Sequence, residues 1–201
     1  MRFFLLFFSL ISTLRGVSQE INDANAKKWV DSVYISLNDD ERIGQLIVTR
    51  LSTMDVKTKK ITSLFDQTAA YIRKYNIGSV CVFQGSPSKQ AIELNQLKAL
   101  AKTPLLISID GEWGLGMRIQ DSVIPLPKQM MLGAMSDPSI VYEYGKSVAA
   151  QCKRLGIQMN YAPVMDINNN PNNPVINDRS FGEDREKVAN YGIAYMKGMQ
   201  D

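Results

Sequence analysis

The 201-residue sequence contains no histidine. Within this chain that excludes a zinc site built on imidazole, a Ser-His-Asp triad and a Cys-His dyad, so any acid–base chemistry built here must use carboxylates, lysine or tyrosine. Cysteine is nearly as scarce. Cys81 lies in the apolar run Val80-Cys-Val-Phe83 and Cys152 in a predicted helix; the two can pair in an oxidising compartment, and two buried free thiols are the favoured reading. An excess of charge of one sign is missing too, with 23 Lys and Arg against 20 Asp and Glu scattered along the chain. Neither a nucleic-acid nor an anionic-membrane partner is expected from that balance. After residue 14 no apolar run approaches the roughly 20 residues that a membrane helix needs. Short-period repeats, low-complexity tracts and Pro/Gly linkers are missing as well, and no Gly-x-Gly-x-x-Gly turn marks a dinucleotide fold.

What is there begins with a basic start, Met1-Arg2, running into the apolar stretch Phe3 to Leu14 and then Arg15-Gly-Val-Ser18. This has the form of a secretory signal peptide, residues 1–18, cleaved near Ser18/Gln19, with a retained anchor as the alternative. The mature protein is expected to be secreted or periplasmic, without a membrane anchor. Removing 18 residues from 201 leaves 183, enough for a core but short of the roughly 250 of a complete (β/α)8 barrel.

Helical spacing over Ile21 to Leu37 comes first, then Asn38-Asp-Asp-Glu41 offers N-cap oxygens for a short helix ending near Gly44. Strands are predicted at Gln45–Thr49, Gly78–Phe83, Pro104–Ile109 and Ile157–Ala162. Helices are predicted between them, at Lys60–Tyr75, from Ser86-Pro87 to Lys102 and from Ser136-Asp137-Pro138 to Leu155, and a last one runs from about Asp184. Strands joined by helical crossovers make a parallel sheet, so the fold class is α/β. The pattern alone does not choose between an open sheet and a barrel.

Ligands of parallel α/β folds sit at the carboxyl ends of strands. The third strand ends at Asp110-Gly-Glu-Trp-Gly-Leu-Gly-Met-Arg118, which packs carboxylates, an indole and a guanidinium among glycines. An Asp-Gly turn with a solvated Arg118 is the alternative reading. The fourth strand runs into Asp166, an Asn/Pro-rich loop over 168–177 and Asp178-Arg-Ser-Phe-Gly-Glu-Asp184. Acids, amides, Arg and an aromatic on one rim suit a sugar, whose vicinal hydroxyls take paired hydrogen bonds and whose ring rests on a flat apolar face. For Asp166, holding the loop and touching a ligand are both open.

The ordered series Ile43-Gly-Gln-Leu46, Ile77-Gly78, Ile109-Asp110 with Glu112 and Arg118, Leu126-Pro127, Asn160-Tyr-Ala-Pro163, Asp166-Ile167 and Asp178–Asp184 resembles the N-terminal barrel domain of glycoside hydrolase family 3. The resemblance spans nearly all of residues 19–201. It implies a parallel TIM-barrel-type domain of which about the first four βα units are present. It further implies that Asp110 binds hydroxyls of a terminal sugar, that Arg118 shares its loop and that Arg179 contacts the sugar from the next loop. Glu112, Trp113 and Asp166 complete the expected substrate-binding set. In the branch of the family acting on N-acetylglucosamine the third-strand loop reads Asp-x-Glu-Gly-Gly, with an Arg eight places after the Asp. This chain keeps all but the first of those glycines, where Trp113 stands.

The implied activity is hydrolysis of terminal β-linked sugars with retention, as a β-N-acetylhexosaminidase; a β-glucosidase or a non-catalytic carbohydrate-binding protein are the alternatives. A flavin or phosphate-sugar barrel enzyme would need a basic phosphate cradle that this chain lacks. The family's Lys-His motif and Asp nucleophile are expected beyond Asp201, so no catalytic residue is assigned here and these residues alone are expected to be inactive. No cofactor and no metal are expected.

Overall fold

The computed structural model describes residues 24–119 and 121–201. The expected export segment, residues 1–18, lies outside them. The chain divides into two units, one through Leu37 and one from Asn38. Helix α1 (Ala24–Ser36) belongs to the first, with Ser32 and Ser36 hydroxyls donating back to the Trp29 and Val33 carbonyls. Among the described residues no helix is long and apolar enough to cross a membrane.

The second unit opens with α2 (Asp39–Gly44), started by a capping box. Asn38 Oδ1 accepts from the Glu41 N–H, and the Glu41 carboxylate accepts from the Asn38 N–H. Then follow β1 (Val48–Arg50), β2 (Ser52–Met54), β3 (Ile61–Ser63), α3 (Phe65–Tyr75), β4 (Ser79–Val82), α4 (Pro87–Leu100) and β5 (Leu106–Ile109). The series closes with α5 (Gln129–Gly133), α6 (Ser139–Arg154), β6 (Met159–Asn160) and α7 (Arg185–Gln200). Strands β1, β4, β5 and β6 form one parallel sheet in that order. Each new strand is added to the same edge, and since crossovers are right-handed this puts all the helices on one face. An open doubly wound sheet reverses its order part-way, so these are the first four units of a (β/α) barrel.

The core lies between sheet and helices. Val80 and Ile107 are fully buried there with Leu94 and Leu97 of α4, Val141 and Val148 of α6, and Val188 and Tyr195 of α7. At the start of β5 Leu106 is 41% exposed, whereas the rest of β5 and all of β4 are buried. Cys81 and Cys152 are both free and buried. Burial pushes the Cys152 thiol up to about 11 and raises that of Cys81, so neither is a thiolate at neutral pH. Backbone meets backbone at several glycines, among them Gly133 and Gly198. A Cβ on Gly133 would overlap the Phe181 carbonyl oxygen, and one on Gly198 would overlap that of Tyr142 where α7 crosses α6.

The structure revises the expected elements in several places. The first strand begins at Val48 rather than Gln45, because the chain leaving α2 makes two further turns, Leu46 N–H to the Ile43 carbonyl and Ile47 N–H to that of Gly44. The helix expected from Lys60 begins at Phe65, and the residues before it pair as β3 with β2 in an antiparallel hairpin. Its turn is held by the Asp55 carboxylate, which accepts from the N–H groups of Lys57 and Thr58 and from the Thr58 hydroxyl, with Lys59 left-handed. The fourth strand shrinks to Met159–Asn160, and α5 was not expected at all.

On α2, Glu41 is buried and ion-paired with Lys102. The Lys102 hydrogen bond, helped by the Asn38 N–H, holds its carboxyl below the ordinary range. A carboxyl lower in the folded than in the unfolded state adds stability above its unfolded value of about 4.3 and loses it as pH falls through the folded value. The Tm advantage of the parent over Glu41→Gln is therefore expected to be largest near neutrality and to shrink on acidification. Melting curves at a series of pH values check this, and a gap that stays constant down to acid pH would contradict it.

Candidate functional site

Asp110 directly follows β5, and its neighbours in sequence and space fix it. Arg118, eight residues on, curls back so that its guanidinium pairs with the Asp110 carboxylate while Nε donates to the Asp110 carbonyl at 2.7 Å. The same guanidinium lies 4.7 Å over the ring of Phe83, one residue past β4. Arg118 is therefore a packed partner of Asp110 rather than a solvated surface cation. The Asp110 side chain remains one-third exposed, at 33%, which leaves acceptor capacity for a ligand.

Glu112 points the other way. It is buried, and both carboxylate oxygens are taken by Arg179, Oε2 from Nε at 2.8 Å and Oε1 from Nη2 at 2.5 Å. Arg179 sits on a short turn, Asn177–Arg179, of the loop after β6, where Nη1 also donates to the Val175 carbonyl at 3.0 Å. The Glu112 hydrogen bond raises the Arg179 pKa further, with smaller contributions from the charges of Asp110 and Asp166. These three acids and one arginine thus share one electrostatic neighbourhood. Asp166 is exposed, and it ties its loop through the main chain, its carbonyl accepting from the Ser180 hydroxyl at 2.6 Å. Trp113 is half-buried with the Lys128 ammonium 5.0 Å from its ring centre, and Lys128 in turn pairs with Asp178 at 2.6 Å.

Glycine shapes this loop where a side chain would not fit. Gly114 has φ +79°, and a Cβ there would press on Gln151 Oε1 and Leu126 Cδ1, each at 3.0 Å. Gln151 Oε1 is already engaged, accepting from the Leu115 N–H at 3.1 Å. All six expected residues, Asp110, Glu112, Trp113, Arg118, Asp166 and Arg179, therefore lie on the loops at the carboxyl ends of β5 and β6. The sequence reading missed several of their supports: Phe83, Gln129, whose amide donates to the Glu112 carbonyl, and Asn160 with Tyr195. Asn160 ends β6, so inspecting every strand end would have found it.

Paired carboxylates and guanidiniums offer fixed acceptors and donors on one rim, which suits a polyhydroxylated ligand. Among the described residues no group of three or more His, Cys, Asp or Glu side chains is placed to hold a metal ion.

Comparison with known proteins finds relatives that match most of the chain. The profile of the glycosyl hydrolase family 3 N terminal domain matches residues 39–201. Beta-hexosaminidase A of Pseudoalteromonas piscicida is 33% identical over 153 residues, covering 70% of this chain and 25% of that protein. A beta-N-acetylglucosaminidase/beta-glucosidase of Cellulomonas fimi is 27% identical over 179 residues, covering 89% and 30%. Among solved structures, a glycoside hydrolase family 3 beta-N-acetylglucosaminidase from Paenibacillus sp. str. FPU-7 superposes with TM-score 0.71 at 34% identity, covering 82% of this chain and 31% of that one. The beta-glucoside phosphorylase BglX superposes with TM-score 0.74 at 26% identity, covering 88% and 29%. The chain thus spans between a quarter and a third of the length of these relatives.

Proposed function

Since this chain belongs to glycosyl hydrolase family 3, carrying that family's N-terminal domain over residues 39–201, we propose that it supplies one wall of the sugar site of an exported β-glycosidase. The observation that carries this reading is the convergence of Asp110 and Arg179 from successive strand ends into one cluster of paired charges. Asp110 accepts hydroxyl hydrogens of the terminal sugar, Arg118 and Phe83 hold that carboxylate in place, and Arg179 donates to the sugar from the following loop while Glu112 orients it.

In retaining hydrolysis a carboxylate attacks the anomeric carbon as an acid protonates the departing glycosidic oxygen; water then cleaves the glycosyl ester, giving up its proton to the same acid/base group. Glu112 has both oxygens tied up by Arg179 and Asp110 is paired with Arg118. Neither is free for attack, and in this reading, as the family resemblance implies, the nucleophile and acid/base are supplied from outside these loops. The sugar is a terminal β-linked N-acetylhexosamine, a reading supported by the relatives' names and by the Asp-x-Glu loop. A β-glucoside is the second reading, favoured by Trp113 in place of glycine and by the dual name of the Cellulomonas relative. Export rests on the apolar segment of residues 3–14.

Two aryl substrates test the reading. The protein carrying this chain is expected to cleave aryl β-N-acetylglucosaminide with a higher kcat/KM than aryl β-glucoside and to release the β-anomer first by NMR. The 201-residue chain alone is expected to give no turnover above buffer. Release of the α-anomer, or turnover by the 201 residues alone, would overturn the proposed division of labour.

A further inference from the structure

We infer that Asn160 is a positioning residue for sugar recognition, acting through the main chain of Gly111 and braced from behind by Tyr195. This rests on the sugar-site reading of Asp110. Strand β6 ends at Asn160, whose Cα partner on β5 is Ile109. Past β5 the ladder lapses, and two residues on, at Gly111, the Asn160 side chain takes over from it. Its Oδ1 accepts from the Gly111 N–H at 3.0 Å and its Nδ2 donates to the Gly111 carbonyl at 3.1 Å. A primary amide carries the one donor and one acceptor that a strand neighbour would have presented.

The second Nδ2 hydrogen goes to the Tyr195 hydroxyl at 3.2 Å. Tyr195 is fully buried on α7, its ring tilted against that of Tyr144 with centres 5.9 Å apart. Reversing the amide would set its oxygen against the Gly111 carbonyl, so Gly111 fixes which way it points, and the Tyr195 hydroxyl braces it there. Gly111 is the link between Asp110 and Glu112, each of which is held by a different arginine. Its position therefore sets the spacing between the acceptor carboxylate and the arginine on the neighbouring loop. Among the described residues no other side chain bonds both main-chain groups of this link.

Asn160→Asp keeps the shape but replaces the donor to the Gly111 carbonyl with an oxygen; Asn160→Ala removes both bonds; Tyr195→Phe removes only the brace. Measured on the protein carrying this chain, well below each variant's Tm, kcat/KM is expected to fall about ten- to a hundredfold for both Asn160 variants and a few-fold for Tyr195→Phe. A double substitution separates positioning from stability. Asp110→Ala combined with Asn160→Ala should lose no more than about threefold beyond Asp110→Ala alone, because Asn160 acts through the loop that presents Asp110. A merely structural Asn160 predicts lowered Tm with kcat/KM per folded molecule within threefold of the parent, and that result sinks the inference, as does full additivity with Asp110→Ala. Should Asn160→Ala not fold, Asn160→Asp and Tyr195→Phe carry the same comparison. An unsubstituted protein that cleaves neither aryl substrate would instead refute the sugar-site reading itself.

Discussion

Replacing Asp110 by alanine in the protein carrying this chain is expected to lower kcat/KM for a terminal β-glycoside by roughly two to four orders of magnitude while leaving the fold in place. Asp110 stands immediately past β5, one-third exposed, with Arg118 on one side of its carboxylate. A carboxylate so held can accept from two sugar hydroxyls, and charge-assisted bonds contribute about 1.5–3 kcal/mol each. Where they strengthen as the ring distorts toward the oxocarbenium-like state, their loss appears in kcat as well as KM. The folded chain tolerates the change because Arg118 keeps its seat on Phe83 and its Nε bond to the Asp110 carbonyl. Asp110→Asn is the sharper variant, since it retains size and can still accept a turn hydrogen bond but loses the charge. Near-normal kcat/KM in Asp110→Asn, together with a lowered Tm in Asp110→Ala, would show that the residue only shapes a turn.

The Glu112–Arg179 pair is expected to respond asymmetrically. Arg179→Ala strands a carboxylate whose side chain is 5% exposed, whereas the Arg179 side chain is 31% exposed and can reach water when Glu112 is neutralised. Breaking a fully buried pair from one side costs about 3–5 kcal/mol, and the partial exposure of Arg179 reduces this to about 2–3 kcal/mol. In the protein carrying this chain Arg179→Ala should therefore melt below Glu112→Gln. Adding Glu112→Gln to Arg179→Ala should then raise Tm, because the stranded charge is gone, while hydrolysis stays lost with the sugar-facing guanidinium. Calorimetry on the two single variants and the double one checks this. A double variant no more stable than Arg179→Ala would mean that Glu112 is solvated when its partner leaves.

The parts legible in the sequence are those set by local chemistry. Strand β4 is buried at every position and β5 at all but its first, so Val80-Cys-Val82 and Leu105–Ile109 read as near-continuous apolar runs. Asn38, Asn76 and Asp184 marked helix ends through their side chains or their tolerance of left-handed backbone, and each is a cap. The hairpin β2–β3 escaped because its turn contains neither Gly nor Pro and depends on the Asp55 side chain. Within the site, Arg118 and Asp110 could be associated across eight residues of one loop. The bond between Arg179 and Glu112 spans 67 residues, and that between Asn160 and Gly111 spans 49. Such separations carry no geometry until the strands are paired.

The close backbone contacts at Gly133 and Gly198 bear on how tolerance to substitution would be read across this chain. In a saturation screen scored by sugar release, every replacement at either glycine drives a Cβ into a main-chain oxygen and removes folded protein. Both positions would look as intolerant as Asp110, though neither touches the ligand face. Scoring abundance and activity separately would part them: at the glycines the two scores fall together, whereas at Asp110 the quantity of protein persists and only the turnover per molecule disappears.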